Sequence, residues 1–172
     1  MLDIVNTMLS KNPKMIKVVD ALGWTPIHYA AFRGNLEATR LLMQCDSSAA
    51  YLLDKSGLLS ALGRALVLEV MIRYRPDACD LLNAKGQTIL HAAVLGGQIN
   101  VVEFILQTNK LDGLINEADK DGNTPLHLAA AYPHLEIVEL LASDRRVDKT
   151  AINKNFLKAA DIFLGDNFER VC

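Results

Sequence analysis

Histidines are the first residues here whose type suggests chemistry, because imidazole binds zinc and shuttles protons near neutral pH. The chain has His28, His91, His127 and His134. Three of them occupy the same place in a recurring phrase: Gly23-Trp24-Thr25-Pro26-Ile27-His28-Tyr29-Ala30-Ala31, Gly86-Gln87-Thr88-Ile89-Leu90-His91-Ala92-Ala93-Val94, and Gly122-Asn123-Thr124-Pro125-Leu126-His127-Leu128-Ala129-Ala130. A histidine that recurs once per phrase should lie along a stack of equivalent places, not converge with its copies on one metal. His134 is expected to start a helix and to be exposed. Asp119-Lys120-Asp121-Gly122-Asn123 opens like a calcium loop, but the position that needs an acidic ligand is Ala130, so a turn is the better reading.

The remaining reactive types form no constellation. No serine sits in G-x-S-x-G, and Leu95-Gly96-Gly97-Gln98 closes a helix pair and is no phosphate loop. Cys45 and Cys79 lack a neighbouring histidine, and with Cys172 they make neither a metal spacing nor a disulfide framework, which fits a reducing compartment. No catalytic residue, cofactor site or metal site is expected. Lys plus Arg is 18 and Asp plus Glu is 20, giving a net charge of −2. Such a balance provides no field for nucleic acid or an anionic membrane, and Arg145-Arg146 reads as a short solvated pair. No signal peptide is recognised, and no apolar run is long enough to span a bilayer.

The elements that position these residues follow from the phrase itself. Glycine supplies a turn, threonine an N-cap, and proline, where present, the first helical position. Leu126, Ala129 and Ala130 then make an apolar stripe at helical spacing, with alanines small enough for close helix approach. In 172 residues, 51% are apolar but only 6% aromatic, which suits helix packing better than a sheet sandwich.

The spacing is that of a repeat. Gly23 and Gly57 are 34 residues apart, Gly57 and Gly86 are 29, and Gly86 and Gly122 are 36. The chain is expected to be one domain in these parts: a partial N-terminal repeat over 1–22, a repeat over 23–56, a shortened repeat over 57–85, repeats over 86–121 and 122–155, and a degenerate stub and tail over 156–172. The shortened repeat has lost five residues and should run as one irregular helix, the least stable part of the stack. Outer helices are expected over about 36–44, from Ile99 and over about 135–142, with Leu36, Thr39, Leu42 and Met43 inward in the first and Ile99, Val102, Ile105 and Leu106 inward in the second. Pro133 stands where the other repeats have Gly34 and Gly97, so that turn must differ. Phe156 stands in the turn-glycine place of the last opening.

T-P-L-H-x-A at this period resembles the ankyrin repeat over roughly residues 2 to 165. That resemblance implies an all-α ankyrin-repeat solenoid in which Thr25, His28, Thr88, His91, Thr124 and His127 are structural, the histidines hydrogen-bonding within and between repeats. Asp144-Arg145-Arg146-Val147-Asp148-Lys149 and Arg75-Pro76-Asp77-Ala78-Cys79 further resemble the plant accelerated-cell-death family, whose members carry cytosolic ankyrin repeats before a C-terminal membrane domain and are implicated in defence and stress signalling. The chain departs from that family in lacking the membrane domain, a complete first repeat and five residues of the second, as a truncated form would.

The function expected is protein binding on the concave helix and finger face, at Tyr29, Phe32, Arg33, Leu95, Leu128 and Tyr132. The partner is a protein. Nucleic acid, direct membrane insertion and homo-oligomerisation are not implied. The expected location is cytoplasmic, or the cytosolic face of the plasma membrane or endomembranes for a membrane-anchored relative.

Overall fold

The computed structural model describes residues 7, 12–46, 70, 72–74, 82–132 and 134–169. They fall into an N-terminal unit within Met1–Asn83 and a C-terminal unit within Ala84–Cys172. Among the described residues the structure is helical, apart from one isolated antiparallel bridge between Ile152 and Lys158. Most of the partial N-terminal repeat before Asn12 and most of the shortened repeat lie outside the described residues.

In the N-terminal unit a short 3₁₀ turn, Pro13–Lys17, leads into a finger and then α1 (Pro26–Phe32) and α2 (Leu36–Cys45). Helix α1 starts where the phrase predicts: Thr25 is extended and Pro26 takes the first helical position. It ends at Gly34, whose φ is 65°. Glycine is needed there because this left-handed turn lets Gly34 and Asn35 donate to Ala31 and Ala30 carbonyls at 2.8 and 2.7 Å. The Asn35 side chain then accepts from Ala38 N at 3.0 Å and opens α2. Ile16, Ile27, Ala30, Ala31, Leu42 and Met43 form the core, with Leu36 partly buried against it.

The C-terminal unit repeats this pattern as α3 (Ile89–Leu95) with α4 (Ile99–Gln107), and α5 (Pro125–Ala131) with α6 (Leu135–Ser143). A last helix, α7 (Ala159–Glu169), packs on α5. Along α4 the buried set is Val101, Val102, Ile105 and Leu106, while Ile99 is only half-buried. The expectation for Ile99 is thereby corrected: the buried face is centred one residue further into the helix, and Val101 belongs to it. After α4, Asn109–Leu114 winds into a 3₁₀ turn that buries Leu111 and Leu114.

The fourth repeat leaves its inner helix differently, as Pro133 requires. Tyr132 is extended, with φ −116° and ψ 151°. A residue before proline is pushed out of the helical region that its counterpart Gly96 keeps, at φ −84° and ψ 0°, and proline cannot take the positive φ of Gly97.

Candidate functional site

Three fingers share one geometry. Asp20 Oδ1 accepts from the Leu22 and Trp24 amides at 2.9 and 2.8 Å. Asp119 Oδ1 accepts from Asp121 and Asn123 N, both at 2.9 Å. Asn153 Oδ1 accepts from Asn155 and Leu157 N at 2.9 and 3.1 Å. In each, the residue three further on is left-handed: Gly23 at φ 82°, Gly122 at 79° and Phe156 at 61°. Asp119 Oδ2 also accepts from Gln87 Nε2 at 3.3 Å. Its oxygens therefore serve the turn, and the calcium-like spelling is turn chemistry.

The recurring histidines are built into the helix starts. The Thr25, Thr88 and Thr124 amides donate to Nδ1 of His28, His91 and His127 at 3.0, 3.1 and 3.2 Å. Each threonine hydroxyl also lies 2.7 to 2.9 Å from the same nitrogen. Histidine here performs the back-reach that Glu or Gln performs in a capping box. Since Nδ1 accepts from a backbone N–H, the ring carries its proton on Nε2. That Nε2–H of His91 donates to Asn123 O at 3.0 Å, and that of His127 to Leu157 O at 3.1 Å, each in the next finger. Burial, partly opposed by the Asn123 carbonyl, holds the His91 pKa below that of free histidine. His91 and His127 thus hydrogen-bond both within their own helix start and to the next finger, and Thr25 and His28 share the helix-start part of this arrangement.

The fifth helix start keeps the device with other residues. Lys158 precedes α7, and Asp161, at the place of the histidine, accepts from Lys158 N at 2.9 Å. Sequence reading missed this because the T-x-x-H spelling is gone; an acidic residue three after the cap was the available signal.

His134 is half-buried, not exposed. Its ring lies over Gly97, where an added Cβ would meet His134 Cε1 at 2.8 Å. Arg146, expected as half of a solvated pair, spans two repeats instead. It donates to Asp112 Oδ1 at 2.6 Å, to Leu106 O at 2.6 Å and to Asp144 Oδ2 at 2.5 Å. Asn116 ties the same loops, donating to Arg146 O and accepting from Asp148 N, both at 2.7 Å.

Of the residues expected to bind a partner, Tyr29, Phe32 and Arg33 are exposed on α1 and its end, Tyr29 by 45% and Phe32 by 56%. Trp24 joins them, its ring centre 5.0 Å from that of Tyr29 and 5.4 Å from that of Phe32. The Tyr29 hydroxyl donates to Asp20 Oδ2 at 2.6 Å, which lowers the Asp20 pKa and raises that of Tyr29. Leu22, Val18 and Val19 are also exposed on this finger. In the C-terminal unit Tyr132 is 47% exposed and Leu95 half-buried. Leu128 corrects the expectation: it is only 8% exposed, on the helix against which α7 packs. Neither a cluster of three or more metal-ligating side chains nor a helix long and apolar enough to cross a membrane occurs among the described residues.

Short helix pairs joined by Asx-stabilised fingers, clamped by a buried histidine to the next finger, define a repeat protein in which each repeat rests on its neighbours. The family models agree. "Ankyrin repeats (3 copies)" matches residues 58–153 and "Ankyrin repeats (many copies)" matches residues 1–43. The chain belongs to the ankyrin-repeat family. It is similar to the target of rapamycin complex 2 subunit AVO2 of Saccharomyces cerevisiae, 24% identical over 80% of this chain and 26% of that protein. It is also similar to the probable 26S proteasome regulatory subunit p28 of the same yeast, 29% identical over 88% of this chain and 52% of that one. The ankyrin repeat-containing protein ITN1 of Arabidopsis thaliana is 31% identical over 68% of this chain and 18% of its own length. The chain thus spans about half or less of each of these relatives. Its fold matches the crystal structure of the ankyrin repeat protein EF0377 with a TM-score of 0.79, at 20% identity over 98% of this chain and 88% of that one.

Proposed function

We propose that this chain is a non-catalytic protein-binding module that holds its partner on inner-helix and finger residues, with Tyr29, Phe32 and Arg33 around Trp24 as the contact of the N-terminal unit. The carrying observation is that α1 buries Ala30 and Ala31 while turning two aromatic rings to solvent beside a third. Aromatic residues dominate measured interface energies, and truncating such an anchor can cost about 2 kcal/mol or more. In the C-terminal unit Leu95 and Tyr132 take the matching role, without Leu128. The names of two similar proteins, as subunits of larger complexes, support a binding role. This reading involves neither a cofactor, nor nucleic acid, nor self-association, and places the chain in the cytoplasm.

A second reading is favoured by the accelerated-cell-death-like wording at 75–79 and 144–149, and the Arabidopsis relative supports it only in being a plant ankyrin-repeat protein. In it, these repeats are the cytosolic part of a membrane-anchored protein of plant defence or stress signalling, on the plasma membrane or endomembranes. The test of the first reading is partner capture from native cells with the unaltered chain and with Tyr29→Ala, Phe32→Ala and Tyr132→Ala combined. Loss of the partner with unchanged helicity is expected. Capture that survives the triple change, but fails on altering Glu103 and Glu139, moves the contact to the outer helices and rejects the proposal. Recovery of the endogenous product in a pellet resistant to salt and carbonate selects the second reading.

A further inference from the structure

The outer-helix side of the N-terminal unit carries a charge arrangement that the protein-binding face does not use. Arg40 and Gln44 are four residues apart on α2 and so share a face. They line a small cleft together with Val70, Arg73 and Tyr74. Its floor includes the buried Val70, its rim the exposed Arg40, Gln44 and Arg73, and Tyr74 is half-buried. The volume is about 70 Å³, well below the roughly 300 Å³ at which pockets for drug-sized ligands begin. It suits one small group, not a nucleotide or a cofactor.

Two guanidinium groups lining one cleft together offer an anion more positive charge than either alone. Among the described residues Lys17 pairs with Asp46 at 2.9 Å, and Arg146 with Asp112 and Asp144. Among the described residues Arg40 and Arg73 have no such partner. Glu37, one turn before Arg40, is exposed and forms no ion pair with it. Arginine presents a fork of donors that fits the oxygens of phosphate bidentately. Gln44 and Tyr74 add an amide and a hydroxyl donor at the same cleft.

We propose that the cleft of Arg40, Gln44, Arg73 and Tyr74 binds the phosphate group of a phosphorylated side chain on a protein partner. Charge selects phosphate over carboxylate. A phosphomonoester carries close to −2 at neutral pH and neutralises both arginines, whereas a carboxylate neutralises one. Charge also selects a protein over a membrane or a nucleic acid. Those polyanions need several basic residues on one face, typically four to eight for a lipid surface, and here two arginines sit in a chain of net charge −2. The protein source of the phosphate rests on the protein-binding reading; the anion site itself does not.

The test is NMR titration of the Arg40 and Arg73 Nε–H signals in the full chain at constant ionic strength. The probes are inorganic phosphate, terminally blocked phosphoserine and phosphotyrosine, acetate, and phosphatidylcholine vesicles containing phosphatidylserine. Saturable shifts of both arginine signals are expected with phosphate and the phosphoamino acids, with acetate at least about tenfold weaker. Arg40→Gln or Arg73→Gln should each weaken phosphate binding about tenfold or more, the loss of one charge-assisted contact. Tyr29→Ala with Phe32→Ala should leave it unchanged, which separates this site from the aromatic face. Shifts that stay linear in phosphate, an equal response to acetate, or a response only to the anionic vesicles would each overturn the proposal. An Arg40→Lys chain, equally charged and exposed, guards against a folding artefact: retained thermal stability with weakened binding supports the forked contact, and undiminished binding argues against it.

Discussion

His91 is held by its neighbours in one protonation state. Nδ1 accepts from the Thr88 amide at 3.1 Å and Nε2 faces the Asn123 carbonyl at 3.0 Å. A proton added at Nδ1 would point at an N–H, and the resulting charge would be buried. The folded pKa is therefore lowered, mainly by burial. Below the unfolded value of about 6.5 the unfolded chain binds a proton that the folded chain does not. Stability contributed by this histidine is full above that pH and falls as pH drops toward the folded pKa. Urea midpoints measured from pH 7 to pH 5 should fall for the native chain and more shallowly for His91→Gln. Equal slopes would show that the clamp is not the titrating group. Asp20, Asp144 and Asp148 have lowered pKa values, first through hydrogen bonds from Tyr29, Arg146 and Thr150, so their contribution is lost separately, below pH 3.8.

Phe156 is a second residue with a local cost. It is left-handed, yet its side chain is 84% exposed and returns little burial. A left-handed L-residue costs about 1–2 kcal/mol, and glycine's extra freedom when unfolded takes back about 0.5–1 kcal/mol. Phe156→Gly should therefore raise stability by about 0.5–1 kcal/mol in denaturant unfolding. A decrease would mean that the ring makes a contact worth more than the strain.

At the scale of elements, the finger is the part most readable in sequence. Glycine, threonine and histidine each have one mechanical task, and at 23–28, 86–91 and 122–127 the letters and the tasks coincide, with proline added at 26 and 125. At the last opening the tasks persist under other letters: Asn153 replaces aspartate, Phe156 glycine and Asp161 histidine. There the register was legible and the mechanism was not, because hydrogen-bond roles can be filled by several side chains. The outer loops were less legible still. Arg146 and Asn116 act on residues 30 to 40 positions away, and no local pattern marks such partners. Asn116→Ala removes a donor and an acceptor that tie two loops, and should cost about 1–2 kcal/mol. Arg145→Ala, next to Arg146 in the chain but without these contacts, should leave the urea midpoint in place. Equal effects of the two changes would deny Asn116 its tying role.

For the molecule as a whole, the repeat class was legible because a short phrase recurs at a fixed period, and periodicity survives even where single positions drift. What the phrase could not convey is which inner-helix positions stay open. Tyr29 and Leu128 both follow the motif histidine, yet one is exposed and the other is buried on the helix that α7 packs against. Exposure depends on the neighbour, and the neighbour lies outside the phrase. The same dependence governs how a disturbance should spread within the C-terminal unit. A Cβ at Gly122 would meet Lys154 N at 2.9 Å and Asn153 Cα at 3.2 Å, in a backbone conformation of φ 79°. Gly122→Ala should therefore cost at least about 1–2 kcal/mol. In an array stabilised by nearest-neighbour terms, the loss should appear first in α5 and in the 153–157 finger that Gly122 touches. Amide exchange should accelerate most there, less in α3, α6 and α7, which pack on α5, and least in α4, which packs chiefly on α3, α6 and the 3₁₀ turn after it. Uniform acceleration from 86 to 169 would show instead that this unit opens as one cooperative block, and the nearest-neighbour account would fail for it.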